Sequence, residues 1–360
     1  MNDIRPFRVD VPQADLDDLT DRLARTRWPD ELPGAGWDYG IPLARVRDLV
    51  ARWQSLDWRA HEAELNAHPQ FSTEIDGQRV HFLHVRSADP DALPLLLTHG
   101  WPGSIVEFLG VIDPLSEHFH LVIPSIPGFG FAGPTRERGW NQERVARAWA
   151  VLMERLGYDR YGAQGGDWGS GISRALAAAA PGHVIGVHVN YLPTAGDAAD
   201  LSQLDRTRLD KAMAFAANRP GYQILHATRP QTTAYAFTDS PVGQLAWIAE
   251  RFAEWTDPAT PVSDDVILVD VMHHWLNRTA GSAARLIKES SVGGGQSTCP
   301  APLGVAVLPN DIVQSIRPLA EQRYDIRRWT EYPRGGHFAA LEVPDLFVAD
   351  VTAFFQAARR

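Results

Sequence analysis

An α/β fold is what this sequence predicts: a mostly parallel sheet with helices on both faces and a helical insertion over one edge. Three observations carry that expectation. Apolar runs such as LPLLLTH, HLVIPS, YGAQGG and VIGVHVNY alternate with helical segments from about Leu93 to Tyr191, and short buried strands separated by helices imply parallel pairing with right-handed crossovers. The alternation stops near Pro193 and resumes after Pro300 with PLGVAVLP and RRWTEYP. Between those points the sequence reads as helix. Third, the stretch GAQGGDWGSG, Gly162 to Gly171, joins a strand to a helix through a glycine-lined turn with an aspartate at its apex.

Composition bounds the classes. The chain has 360 residues, 44% of them hydrophobic, with 34 Lys and Arg against 44 Asp and Glu, a net charge of −10. That balance argues against nucleic acid and against an anionic membrane surface as partners. One cysteine, Cys299, permits no internal disulfide and fits a reducing compartment; packing ahead of Pro300 is its expected role. The opening MNDIRPFRVDVPQADL has no apolar run like a signal peptide, and no segment approaches the roughly 18 apolar residues of a spanning helix. A cytoplasmic location is expected, and the composition is compatible with a homodimer.

In chain order, ADLDDLTDRLARTRW sets Leu16, Leu19 and Leu23 on one helical face and should stop at Trp28-Pro29. A second amphipathic stretch carries Leu43, Val46, Val50 and Trp53. FSTEIDGQRVHFLHV reads as a hairpin, because Asp76-Gly77 is a two-residue turn between β-rich arms, and it should begin the sheet. A helix is expected from Arg144 to Leu156 and another from Gly169. The insertion contains LSQLDRTRLDKAMAFAA, PVGQLAWIAERFAEW and DVILVDVMHHWL, and its place at the carboxyl edge of the sheet, where open α/β folds bind ligands, makes it a lid. Four parts follow: 1–70, 71–192, a cap over 193–300, and 301–360. Gly293 to Gln296 is expected to be a flexible exit from the lid; no Gly-Lys-Ser/Thr follows to make it a phosphate loop.

The turn Gly165-Gly166-Asp167-Trp168-Gly169 keeps glycine two places either side of its centre, the steric demand of a nucleophile elbow. A helix cap is the plainer role for such an aspartate. The serine of Gly171-Ile172-Ser173-Arg174-Ala175 falls inside the following helix and is expected to be structural. An Asp nucleophile suits an electrophilic sp³ carbon: attack gives an alkyl ester that a positioned water then cleaves. Epoxides or alkyl halides are therefore the substrates that make sense, and no metal or cofactor is implied.

The second step needs a base. Of thirteen histidines, His337 in RGGHF follows the last expected strand, where this architecture carries one. His273 and His274 are neighbours on a helix and point apart, so lid packing suits them better than a shared metal; His99 should shape the loop that it begins. The acid for His337 should come off an upstream strand tip. Asp311 in VAVLPND fits, while the other tip, VHVNYLP, offers only Asn190. THGWPGS, Thr98 to Ser104, supplies a tight turn whose Trp101 N–H, with that of Trp168, forms an oxyanion hole worth roughly 3 kcal/mol per donor. Trp101-Pro102 is expected to be cis.

These motifs resemble, along nearly the whole chain, the microsomal-type epoxide hydrolases of the α/β-hydrolase superfamily. RPFRVDVPQADLDDLTDRLARTRWPDE looks like that family's N-terminal extension, HGWPGS like its oxyanion loop, GGDWGS like its nucleophile turn and RGGHFAALEVP like its histidine loop. The resemblance implies Asp167 as nucleophile, His337 as base and Asp311 as orienting acid, forming and hydrolysing an ester on the way from epoxide to vicinal diol. It also implies two lid tyrosines that donate to the epoxide oxygen. Tyr222 matches the first; at the second the chain reads AARLIKES, with Ile287 where a tyrosine is expected, and Tyr191 and Tyr235 are candidates to replace it. A haloalkane dehalogenase and a non-catalytic small-molecule-binding protein are the competing readings.

Overall fold

The computed structural model describes residues 3–218, 220–292 and 298–359; the Gly293 to Gln296 stretch lies outside them. Nine strands form one sheet in the order β1-β2-β3-β5-β4-β6-β7-β8-β9: β1 Arg5–Phe7, β2 Gln70–Ile75, β3 Gln78–Val85, β4 Leu93–Thr98, β5 Phe119–Pro124, β6 Tyr161–Gly165, β7 Val184–Val189, β8 Leu303–Val307 and β9 Ile326–Glu331. The hairpin β2–β3 turns at Asp76 and Gly77, both at positive φ (54° and 72°), the signature of a turn that matches the twist of its strands. From β5 through β9 every pairing is parallel. The sheet begins one strand earlier than the hairpin: Arg5–Phe7 pairs antiparallel with β2 as its edge. Three residues with no alternating pattern become a strand only because β2 offers a free edge.

Strand order positions the site. In the parallel part, the carboxyl ends of β4, β6, β7, β8 and β9 all open on one edge, with Thr98 paired to Gly165 and Gly165 to Val189. The loop after β4 therefore meets the turn after β6. The helix after that turn runs Asp167–Ala179 with Gly166 as its cap, so it begins two residues before Gly169, and Asp167 is its first residue instead of its cap. Gln142–Arg155 forms the helix ahead of β6.

Before the hairpin lie α1 (Gln13–Ala24), α2 (Leu43–Gln54) and α3 (Trp58–Leu65). Leu19 and Leu23 of α1 are buried, as are Val46, Leu49, Val50 and Trp53 of α2. Helix α1 stops four residues short of Trp28, where Thr26 Oγ donates to the Leu23 carbonyl at 2.8 Å; a local side-chain bond closes the last turn before proline is reached. Between β7 and β8 six helices stand among the described residues: Gln203–Asn218, Gly221–Thr228, Pro230–Asp239, Pro241–Trp255, Asp264–Asn277 and Ala280–Ser291. Helix α2 is pinned to the fifth by Arg45–Asp264 (2.9 and 2.5 Å) and Arg52–Asp265 (2.6 Å), pairs that place carboxylates at a helix N-terminus where the helix dipole also favours them. Cys299 is buried, donates to the Ala301 carbonyl, and burial pushes its thiol up to about 11. No described helix is long and apolar enough to cross a membrane.

Candidate active site

Asp167 stands at φ 45°, a left-handed conformation that a side-chain-bearing residue adopts only when its surroundings impose it. The flanking glycines impose it: a Cβ on Gly165 would sit 2.2 Å from the Gly169 carbonyl oxygen, and one on Gly169 would sit 2.0 Å from that of Thr98. Strand, turn and helix thus touch backbone to backbone, and the carboxylate projects from the tip.

Trp101 N–H, from the loop after β4, donates to Asp167 Oδ1 at 2.8 Å, and the Trp101–Pro102 peptide is cis. The second oxygen, Oδ2, faces His337 Nε2 at 3.4 Å. That ring nitrogen has no hydrogen-bond partner among the described residues. On the other side Nδ1–H of His337 donates to Asp311 Oδ1 at 2.7 Å, and Ile312 N–H donates to the same oxygen at 2.7 Å. His337 and Asp311 side chains are 2% exposed and Asp167 is 17% exposed, so only the carboxylate at the turn is open to a ligand. Burial disfavours a charged His337, yet the carboxylates of Asp311 and Asp167 outweigh it and push the imidazole up to about 10. Glu342 fixes the loop, accepting from Gly336 N–H (2.8 Å) and Phe338 N–H (2.9 Å) on either side of the histidine, while His337 N–H donates to the Trp255 carbonyl.

A cavity of about 210 Å³ lies over Asp167, lined among others by Trp168, Tyr191, Phe215, Tyr222, Ile287 and Ile312. The structure thus brings Tyr222 and Ile287 from the cap to the carboxylate. Tyr235 is 72% exposed and absent from this wall. Tyr191 shares the cavity and packs edge-on to His337, ring centres 5.5 Å apart. Burial and then the Asp167 charge raise the pKa of both Tyr191 and Tyr222; each keeps its proton and is a donor. Tyr222 lies flat on Trp101, centroids 5.0 Å apart and planes 10° from parallel. Trp168 is the second residue of its helix, where a backbone N–H has no intrahelical acceptor. A larger cleft of about 900 Å³ between the N-terminal helices and Pro241–Trp255 contains none of Asp167, His337 and Asp311.

The remaining histidines separate by contact. His99 Nδ1–H donates to the Gly100 carbonyl and its Nε2 accepts from Ile126 N–H, a loop-shaping role. His274 does more than fill the cap: its Nε2–H donates to the Pro102 carbonyl at 2.8 Å. Sequence reasoning missed this bond, and no local signal could have found it across 172 residues. Ser173 is buried inside its helix.

The comparisons with known proteins agree with this geometry. Residues 4–108 match the family model for the epoxide hydrolase N terminus, and residues 94–235 match that for the alpha/beta hydrolase fold. A putative epoxide hydrolase of Stigmatella aurantiaca is 44% identical, covering 99% of this chain and 86% of its own length. Epoxide hydrolase 1 of Sus scrofa is 31% identical over 98% of this chain and 88% of its own. The structure of Aspergillus niger epoxide hydrolase superposes with a TM-score of 0.90 at 31% identity, covering 98% of this chain and 96% of that one. Joined to an aspartate at the turn and a His–Asp pair beside it, these likenesses show that the chain belongs to the epoxide hydrolase family, on the α/β-hydrolase fold.

Proposed function

We propose that this protein hydrolyses compact, largely apolar epoxides to vicinal diols through an ester on Asp167. The observation that carries this reading is the division of labour around one carboxylate that lines the cavity: Oδ1 is held by the Trp101 N–H, while Oδ2 stands 3.4 Å from His337 Nε2. In the first step Oδ2 bonds to a ring carbon, the carbon–oxygen bond of the epoxide breaks, and its electron pair stays on the ring oxygen. Tyr222 donates to that oxygen. Tyr191, the other hydroxyl on the cavity wall, is the second donor, in place of one at Ile287.

Esterification removes the Asp167 charge, one of the two that hold the proton on His337. The proton that His337 releases neutralises the alkoxide formed on the ring oxygen and the imidazole becomes a competent base, so the chemistry of the first step arms the second. Water, losing a proton to Nε2, adds to the ester carbonyl; Trp101 N–H and the N–H of Trp168 stabilise the oxyanion, the ester bond breaks as Nε2 returns that proton to the departing oxygen, and the diol leaves as Asp167 is regenerated. Asp311 holds Nδ1 and offsets the imidazolium charge.

Size limits the substrate. An apolar cavity of about 150 Å³ holds benzene, so about 210 Å³ suits a phenyl-substituted or short alkyl epoxide. His337→Gln, incubated with phenyloxirane, should accumulate adduct, and intact-protein mass spectrometry should show a gain equal to the whole epoxide. A folded variant that gains no mass at saturating substrate overturns the ester route; adduct only with alkyl halides, lighter by the halide, would assign the site to dehalogenation.

A further inference from the structure

The loop that carries the Trp101 N–H is held from behind by buried polar groups outside the reacting set. Ser104 Oγ donates to Asp270 Oδ1 at 2.6 Å. His274 Nε2–H donates to the Pro102 carbonyl at 2.8 Å, and its Nδ1 accepts from Thr279 Oγ at 3.2 Å, which fixes the tautomer. From the loop's own side, Glu107 accepts the Gly100 N–H. Asp270 and His274 are each 1% exposed and stand one turn apart on the cap helix Asp264–Asn277, so they meet the loop from a single face.

Packing alone does not explain this choice of residues. Asp270 Oδ2 has no partner among the described residues, and a buried carboxyl with an unpaired oxygen is less stabilising than an apolar side chain of the same shape. Burial pushes Asp270 up to about 7, and burial followed by the Asp270 charge raises Glu107 well above its ordinary value. A neutral Glu107 spares the nucleophile a like-charge neighbour. What they add over leucine is direction: hydrogen bonds on Pro102 and Ser104 fix the path of the chain immediately after Trp101, whose N–H must meet Asp167 Oδ1, and catalytic constellations tolerate misplacement of only about half an ångström.

We propose that Asp270 and His274 are positioning residues for the reaction at Asp167, holding the 101–104 loop so that the Trp101 N–H points at the carboxylate, and thereby coupling the cap helix to charge stabilisation. This rests on the ester route proposed above. Single-turnover alkylation by phenyloxirane tests it, with adduct in the His337→Gln background measured alongside. Asp270→Leu should slow alkylation by about 10- to 100-fold with substrate affinity changed by less than about threefold. Asp270→Asn, whose amide oxygen still accepts from Ser104, should stay within about threefold of the parent. Ser104→Ala removes the donor, along with the bond that its Oγ accepts from Val106 N–H at 3.2 Å, and reports on the same contact should Asp270→Leu fail to fold; combined with Asp270→Leu in a folded protein the two losses should be well short of additive.

Alkylation at the parental rate in folded Asp270→Leu or in Ser104→Ala overturns the positioning role while leaving the ester route intact. An Asp270→Asn variant as slow as Asp270→Leu overturns it too. Absence of any adduct in the His337→Gln background sinks the ester route and the positioning role together.

Discussion

Two buried histidine–aspartate pairs occupy opposite ends of this molecule's chemistry. His337 and Asp311 meet at 2.7 Å at the carboxyl edge of the sheet. His188, on β7, meets Asp350 of the C-terminal helix at 3.2 Å, with both side chains at most 3% exposed. The pairs share composition and burial and differ in what surrounds them. Asp350 is saturated: Arg328, Thr330 Oγ at 2.8 Å and Tyr332 OH at 3.4 Å join His188 around it, and the His188 ring is walled by Phe347 and Phe354. Each imidazole keeps one nitrogen without a partner among the described residues, but that of His337 stands 3.4 Å from an aspartate that lines a cavity. A His–Asp pair by itself is therefore a structural element. It becomes a candidate base only when the free nitrogen faces a reactive group and a space that admits water.

Removing the charge of each aspartate in turn should separate the two roles, and the expected effects are the largest. Asp311→Asn keeps the shape and removes the charge that stabilises an imidazolium at His337; ester hydrolysis should fall by about 10³- to 10⁴-fold, with adduct accumulating, and stability near neutral pH should fall as well, because that carboxylate helps to hold the His337 proton. Asp350→Asn leaves His188 and Arg328 facing a neutral amide, and breaking a buried charged network of this kind costs about 3–5 kcal/mol. Its turnover per folded molecule should stay near that of the parent. Denaturant unfolding and single-turnover kinetics on both variants check the contrast; an Asp350→Asn protein with parental stability and a lost hydrolysis step would reverse the assignment.

Smaller effects should resolve the donors on the open side of His337. Tyr222 and Tyr191 reach the same cavity from different elements, one from the cap helix Gly221–Thr228 and one from the loop after β7. If the two donors share the ring oxygen, Tyr222→Phe and Tyr191→Phe should each slow alkylation by about 10- to 100-fold and leave ester hydrolysis nearly unchanged, since a shared oxyanion keeps one donor. Loss confined to hydrolysis in Tyr191→Phe would move that hydroxyl to the water beside His337, against whose ring it packs.

How much of this was legible in the sequence depends on whether the determining contact is local. The Asp76-Gly77 hairpin, the glycine-flanked Asp167 and the cis Trp101–Pro102 peptide all follow from residues that touch their sequence neighbours. His337 and Asp311 are legible because both follow strands, and the parallel sheet gathers those ends. Edge strand β1 depends on an edge supplied 65 residues later, where Arg5 pairs with Ser72 and Phe7 with Gln70. The cap helices Gly221–Thr228 and Pro230–Asp239 begin on glycine and proline and bury few residues, so their apolar periodicity is too short to read. Sequence names both Tyr191 and Tyr235 as replacement donors, and only the strand tip that brings Tyr191 to the cavity separates them, while Asp270 carries no local mark of the serine it grips 166 positions away.

The same two pairs should respond to pH at opposite ends of the scale. His337 is raised from an ordinary 6.5 to about 10 by the carboxylates that outweigh its burial, so the folded state binds its proton more tightly than the unfolded chain does. The stability this provides is fully present below about pH 6.5 and is lost as the pH rises toward 10. Asp350 is displaced the other way: burial opposes its charge, yet bonds from His188 and the cluster around it hold the carboxyl well below its ordinary 3.8. Its contribution is present above that value and is lost as the pH falls further. Urea unfolding of the parent, His337→Gln and Asp350→Asn across the pH range reads both. The gap between parent and His337→Gln should shrink from pH 6.5 to 10, because the imidazole is the titrating group that the variant lacks. The gap between parent and Asp350→Asn should hold through that window and close below pH 4. A His337→Gln gap that stays flat from 6.5 to 10 would mean that the imidazole is neutral in the resting protein, and the arming of the base by ester formation would then have no charge to release.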